Sequence, residues 1–439
     1  MTSHQLSDDA LDAVDPLTDE AIEDALERPL DADAAVRIAL ANRRELRAVL
    51  RELGIERGRL LQASLLPNPT AEIDLRHQDD RTQPLQIELF VEYELTEALL
   101  APLRVAAAER ELDAARYRAA GEVLATSYEV RAAFYAVQAA QERVELATRA
   151  LDALAAARDA AQASYDAGNV PELDLATRIA AFEEARAETA ELELDRAVAR
   201  ERLSRLLGVH GAATAWTAAG PLPPAPEADT LPGTIGPDAI ERTAIESSLE
   251  LAETRMRLEA IAQRVGLART EGWLPDISVD AHAEQDGTSW EIGGGASFTL
   301  PLFDRNEGNT AMYEAQFDGL MERYLGAAVD IRSAAREGRA RLDSARLRAV
   351  QYQGTIVPAR QRVFDKTLLQ YNAMQVDVFR LVAALRARLR AELAAVDARR
   401  EYWTARAALD SLLAGRRVGE PAGARTMDMG ADDDSAGGH

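Results

Sequence analysis

The sequence predicts a mainly α-helical fold with a small β part, made of two copies of one unit of long antiparallel helices. Three observations predict it. Of the 439 residues 47% are hydrophobic but only 5% are aromatic, and the apolar surplus is alanine and leucine, the composition of long helices. The chain resembles itself at an offset of about 206 residues. Each copy interrupts its helical periodicity with two short stretches of strict period two.

Composition also removes whole classes of function. With 74 acidic against 50 basic side chains the net charge is −24, which argues against nucleic-acid binding, because phosphate contacts need a basic face. The absence of cysteine removes disulfides, a thiolate nucleophile and cysteine metal ligands. The five histidines, His4, His77, His210, His282 and His439, are scattered, and no serine or glycine-rich loop stands in a catalytic frame, so the expectation is no enzyme and no cofactor. No run of about 18 apolar residues occurs, which excludes a transmembrane helix but not transmembrane strands. The amino terminus lacks the basic and apolar stretches of a secretory signal.

The repeat fixes the organisation. Ala39 to Leu46 returns as Ala244 to Leu251, Leu66-Pro67 as Leu274-Pro275, Tyr165 as Tyr371, and Leu206-Leu207 as Leu412-Leu413. Residues 1–30 are an N-terminal extension, 31–210 the first copy, 211–237 a proline-rich linker whose prolines forbid helix in the stretch after Thr217, 238–415 the second copy, and 416–439 a Gly, Asp and Ser tail that reads as disordered.

Each copy runs through the same four parts. A helix of about 30 residues comes first, Asp33 to Ala63 and Asp238 to Thr270, each led by an aspartate able to cap it. A hairpin follows, at 69–95 and at 276–300, with polar turns. A long helix then spans Pro102 to Tyr165 and Asn306 to Tyr371, about 95 to 100 Å at 1.5 Å per residue. Pro358 should kink the second of these, a break expected to be missing from the first. After a tight turn a shorter helix closes each copy, Pro171 to Leu207 and Asp377 to Ala414, with Val382, Leu389, Val396 and Trp403 at coiled-coil spacing. The short helix stacked on the first helix equals the long one in length, which suggests rods lining a tube wall.

The strands indicate the environment. In the first hairpin Ala71, Ile73, Leu75, Ile87, Leu89, Val91 and Tyr93 alternate with Glu72, Asp74, Arg76, Glu88, Glu92 and Glu94. In the second, Ile277, Val279, Ala281, Trp290, Ile292 and Phe298 alternate with Asp280, His282, Glu284 and Glu291. A one-sided soluble sheet would alternate too. Yet the strands have about the length of outer-membrane barrel strands, aromatics sit near their ends, and no spare amphipathic helix exists to cover them. Four strands cannot close a barrel, since about eight is the smallest closed number, so closure requires several copies.

With these residues in view, the whole repeat from Asp31 to Gly415 resembles the TolC family of outer-membrane efflux channels. The resemblance rests on Ala39-Leu40-Ala41-Asn42, Leu66-Pro67-Asn68-Pro69, the Leu300 to Asn309 segment beginning Leu-Pro-Leu-Phe-Asp-Arg-Asn, and the tip Tyr165-Asp166-Ala167-Gly168. The Phe303 to Asn306 segment and Arg104 to Ala108 are similar to the heavy-metal-efflux branch. The family implies a homotrimer with a helical barrel as its periplasmic tunnel, a shared 12-stranded barrel in outer-membrane lipid, a periplasmic adaptor protein docked at the helical tips, and an inner-membrane efflux pump. A soluble or periplasmic coiled-coil scaffold or adaptor is the alternative. An adaptor would carry a β-domain between its helical arms, where this chain has only a short turn at Gly168.

Three groups of candidate residues follow. Glu72, Asp74, Glu88, Glu92, Glu94, Asp280, Glu284 and Glu291 are expected to line the lumen of the strand barrel, where carboxylate rings favour cations. Asp280, His282 and Glu284 share that face, although a solvated surface is the simpler account and no metal site is assigned. The resemblance places adaptor docking at the tips, Tyr165, Gly168, Tyr371 and Met374; the repeat register, which sets Asp174 and Arg380 each nine residues beyond a tip tyrosine, makes these two and Asp377 the candidate gate. Met374 stands where the family's second tip usually has glycine, Arg380 where an acid is common, and Ala383 where an aspartate often helps closure.

Overall fold

The computed structural model describes residues 22, 26–76, 85–228, 237–286 and 289–418. The first repeat consists of α1 (Ala32–Asn42), α2 (Arg44–Ser64), β1 (Thr70–Arg76), β2 (Gln86–Glu94), α3 (Leu95–Asp166) and α4 (Glu172–Leu207). The second consists of α5 (Pro237–Ser247), α6 (Leu249–Glu271), β3 (Asp276–Asp286), β4 (Ser289–Thr299), α7 (Glu307–Gln351), a π-helical turn (Tyr352–Ile356), α8 (Val357–Asn372) and α9 (Val378–Leu413). The six-part order of the first unit therefore returns in the second. The turn between β1 and β2 and the tail after Val418 lie outside the described residues.

The expected 30-residue helices are each broken once, at Arg43 and at Ser248, both extended with φ/ψ near −60/115°. The first is capped by Asp31, whose carboxylate accepts the Ala34 N–H, and not by Asp33. Asp33 instead occupies the first turn and pairs with Arg131. Each break is packed against the end of the short helix of its own repeat. The Asn42 amide donates to the carbonyls of Leu207 and Gly208 (both 2.9 Å), which supplies partners for the open end of α4. In the second repeat Leu249 N–H donates to Gly415 carbonyl (2.9 Å), and Ser248 caps α6 by accepting the Leu251 N–H.

The long helices differ more. α3 begins at Leu95, seven residues before the expected start at Pro102, and runs 72 residues without interruption, about 108 Å. Pro102 lies inside the helix, past the first four N–H groups that any helix leaves open, so the Ala98 carbonyl has no helical donor there; the Arg104 guanidinium donates to the neighbouring Glu97 carbonyl (2.8 Å). In the second repeat, seven residues separate β4 from α7, and the break predicted at Pro358 takes the form of the π turn just before it. Val357 N–H reaches Tyr352 carbonyl, widening the helix where the proline ring would otherwise meet the preceding turn.

Against α3 pack α4 along one half and α1 with α2 along the other, so the composite rod inferred from lengths is present; α9 and α5 with α6 flank α7 in the same way. Each repeat has its own core at the level of the helix breaks, Ile38, Val130, Phe134, Leu203 and Trp216 in one and Ile240, Ile331, Leu342, Tyr402 and Leu409 in the other. Ile22, Leu26 and Leu30 of the N-terminal extension are buried in the first core, because Leu30 forms a parallel bridge with Ala218 of the linker. The linker is itself structural: Leu222 is buried between Ala139 and Val396, and the Trp403 indole N–H donates to Pro223 carbonyl (2.9 Å).

The four strands form one antiparallel sheet in the order β1-β2-β3-β4, with β2 paired to β3 across the repeats. Among the described residues no helix is long and apolar enough to cross a membrane.

Candidate functional site

Register decides what the sheet presents. Asp74 faces Glu88, Glu88 faces Glu284, and Glu284 faces Glu291, so one row across all four strands is entirely acidic. The next row holds Glu72, Phe90, His282 and Gly293, and the one after it Thr70, Glu92, Asp280 and Gly295. Glu94 and Ser278 pair beyond them. The eight carboxylates expected on one face are thus brought to one face, against a single guanidinium among the described strand residues. Arg76 pairs with Asp74 (2.8 Å) and Glu88 (3.1 Å) at one edge of the acidic row, and among the described residues Glu284 and Glu291 have no ion-pair partner. Ser278 links β2 to β4, donating to Glu92 (2.6 Å) and lying 2.7 Å from the Ser297 hydroxyl.

Phe90 was missed: parity alone puts it among the acids, opposite His282. The glycines of β4 were missed as well. A Cβ at Gly293 would come within 2.4 Å of the His282 ring, and one at Gly295 within 2.6 Å of the Asp280 carboxylate, so both side chains lie across β4 in tracks left by absent side chains. His282 Nδ1 is 3.4 Å from Asp280. Among the described residues no three His, Asp or Glu side chains come together closely enough to hold a metal ion, so Asp280, His282 and Glu284 share a face without converging.

The opposite face is apolar and open. Ile73, Leu75, Leu89, Val91, Trp290 and Phe298 are exposed on it, and Ile292 is 84% exposed. Among the described residues no helix covers them, because the helices are packed on one another.

At the far end of the long helices lie the tips. Gly168 has φ +74° and ends α3, its N–H donating to Tyr165 carbonyl (2.8 Å) while Asn169 N–H reaches back to Ser164 (2.8 Å). The second tip reproduces this turn bond for bond, Met374 N–H to Tyr371 (2.9 Å) and Gln375 N–H to Gln370 (2.8 Å), but with a methionine at φ +57° whose side chain is 95% exposed. Asp174 lies in the first turn of α4. Asp377 is the N-cap of α9, its carboxylate accepting the Arg380 N–H (2.9 Å), so it shapes the turn that presents Arg380. Within one chain Asp174 and Arg380 do not meet. The repeats are tied by other residues: Arg178, held by its bond to Ala157 carbonyl of its own repeat (3.3 Å), donates to the Tyr371 hydroxyl (2.9 Å), and Arg386 pairs with Glu184. Arg178 lies one helical turn beyond Asp174, a spacing that could have drawn attention to it.

A four-stranded sheet with one acidic and one open apolar face, continued into helices of tunnel length, defines a channel-type protein. The outer membrane efflux protein family model matches residues 35–209 and 241–415, both copies, and the chain belongs to that family. It is 26% identical over 392 residues to the cobalt-zinc-cadmium resistance protein CzcC of Cupriavidus metallidurans, covering 88% of this chain and 90% of that one. Its fold is similar to a membrane protein from Pseudomonas aeruginosa (TM-score 0.75, 22% identity, 87% of this chain and 92% of the other). It is also similar to the open state of the Neisseria gonorrhoeae MtrE outer membrane channel (TM-score 0.71, 17% identity, 88% and 89%).

Proposed function

We propose that the chain is the outer-membrane exit duct of a tripartite efflux system, working as a homotrimer whose sheets close into one barrel of 3 × 4 = 12 strands. The observation that carries this reading is the two-faced sheet. An uncovered apolar face of this extent is unstable in water and stable against lipid, while carboxylates on the other face need water, and a closed barrel in a bilayer gives each face its solvent. A coiled-coil scaffold offers no account of the sheet.

Small cations, heavy-metal ions among them, are the substrates this lumen favours. Three copies of the row Asp74, Glu88, Glu284 and Glu291 form a carboxylate ring, and the relative CzcC is named for cobalt, zinc and cadmium resistance. The tips at Tyr165, Gly168, Tyr371 and Met374 serve as the docking surface for a periplasmic adaptor that links the duct to an inner-membrane pump. Asp174 and Arg380, nine residues beyond Tyr165 and Tyr371, supply alternating charge at the narrow end of the trimer. The test is a planar bilayer under a salt gradient. The open pore is expected to be cation-selective, and Glu88→Gln with Glu284→Gln to lower that selectivity; anion selectivity in the parent protein overturns the assignment of the acidic face to the lumen.

A further inference from the structure

All four places where the chain crosses between helix and sheet expose large apolar side chains. Leu66 precedes β1, Leu99 lies in the first turns after β2, Trp273 precedes β3, and Leu300, Leu302 and Phe303 follow β4. Leu300 continues the apolar parity of Ile292 and Phe298, so the band joins the open face of the sheet without a polar gap. Its second-repeat part is built with care for a segment that covers nothing. Gly272 lets the 300–306 connection pass against the end of α6, because a Cβ there would lie 2.0 Å from the Arg305 carbonyl oxygen. Asn306, in a left-handed conformation, anchors the connection by donating to Ala268 carbonyl (3.1 Å) and Glu271 (2.9 Å). The outcome is Trp273, 76% exposed, with the Arg305 guanidinium 5.6 Å over its ring, and Phe303, fully exposed, in the same connection as Arg305. Among the described residues Arg305 has no carboxylate within ion-pair distance.

We infer that Trp273, Phe303 and Arg305 form a lipid-contacting foot. It rests in the headgroup layer of the leaflet nearer the helices, with the two rings toward the acyl chains and the guanidinium on lipid phosphate. Three features select a phospholipid surface as occupant. The patch continues the sheet face assigned to lipid, so the inference rests on the membrane reading above. An aromatic ring and an arginine side by side match the depth at which a bilayer changes from apolar to anionic. And among the described residues the cation has an aromatic ring beside it but no anionic partner, which a phosphate provides.

Because the chain has no cysteine, single spin labels report depth without background. Labels at Phe303→Cys, Ile292→Cys and Asp152→Cys are compared in the full-length protein, reconstituted in phosphatidylethanolamine and phosphatidylglycerol vesicles, by collision with oxygen and with a water-soluble nickel chelate. Full exposure of Phe303 makes its replacement safe for folding, and oligomer size in detergent controls for assembly. The expected result is Ile292 deep and oxygen-favoured, Phe303 shallow but still oxygen-favoured, and Asp152 open to nickel. Adding Arg305→Gln should move the 303 label severalfold toward nickel accessibility. A 303 label as open to nickel as the 152 label, with Ile292 still deep, overturns the foot and leaves the membrane reading standing; nickel access at both overturns the membrane reading as well. A 303 label closed to both reagents shows that a second copy covers it, which also overturns the proposal, and an unmoved label in the Arg305→Gln background removes the guanidinium from it.

Discussion

The two repeats share an element order but solve the passage from sheet to helix differently. In the first, β2 ends at Glu94 and α3 starts at Leu95 with no connection between them, and Thr96 anchors the junction by donating to Pro275 carbonyl (2.9 Å) and accepting the Ile277 N–H (2.7 Å). In the second, a seven-residue connection folds back on α6 and the helix later relaxes through a π turn. One copy is a continuous strut; the other carries extra joints. Duplication has kept the cores and freed the ends, which places the departures at the sheet boundary and at the tips.

The largest predicted effect tests that asymmetry at one glycine. Gly272→Ala puts a methyl group into the backbone of Arg305, which cannot yield as a flexible side chain would, so a loss of about 2 kcal/mol or more is expected. Ser64, at the matching place in the first repeat, is exposed and makes only a local bond to Leu61 carbonyl, so Ser64→Ala should stay within about 0.5 kcal/mol. Denaturation in detergent measures both. Equal losses would mean that the connection is not what distinguishes the repeats.

The next effect concerns the tie between them. Tyr371→Phe removes the acceptor of Arg178 at an exposed tip, worth about 0.5–1.5 kcal/mol, which corresponds to a severalfold shift in an opening equilibrium. Conductance in a bilayer should rise while oligomer stability is unchanged. Unaltered conductance would assign this bond to structure alone.

How far these features were legible in the sequence depends on range. Periodicity gave the four-part unit, the strand parity and the acidic face, because each follows from spacing along one strand or helix. The acidic row required register between strands, which depends on pairing across the repeats and is not a local property. Arg178 and Tyr371 are 193 residues apart and could not be matched by spacing. Asp33 was expected to cap α1 because it heads the apolar pattern; the helix begins earlier, and Asp31 has the extended backbone a cap needs. Pro102 marked a plausible helix start, since proline favours the first turn, but tertiary support from Thr96 starts the helix upstream. The Asn42 motif was visible as a motif, while its partner at the end of α4 was not.

A smaller effect separates the tips. Met374 holds a left-handed backbone that costs a residue with a Cβ about 1 kcal/mol, a cost Gly168 avoids at the same turn. Met374→Gly should therefore recover about 0.5–1 kcal/mol, and Gly168→Met should lose as much, with nothing within 4 Å of the glycine to add a clash. If Met374→Gly stabilises the protein but weakens capture of its adaptor, the methionine is retained for contact at the expense of fold stability. A Met374→Gly variant of unchanged stability would show that this backbone is not strained.

The smallest effect is a dependence on pH at a position that titrates in one repeat and not in the other. Glu253 of α6 is held above the usual carboxylate range chiefly by burial, which disfavours its charge, against the opposing attraction of Arg257 (2.8 Å), Arg118 and Arg416. Ala48 occupies the matching place in α2 and cannot titrate. Since the folded protein holds this proton more tightly than the unfolded chain, the group stabilises the fold fully below its unfolded pKa near 4.3, and that contribution is lost as pH rises through the higher folded value. Glu253→Gln keeps the neutral form at every pH. The variant should match the parent in acid and exceed it slightly at neutral pH, with the gap opening as Glu253 in the parent loses its proton. Loss of the Arg257 pair works in the opposite direction, so a variant less stable than its parent at neutral pH would show that the ion pair outweighs burial at this site.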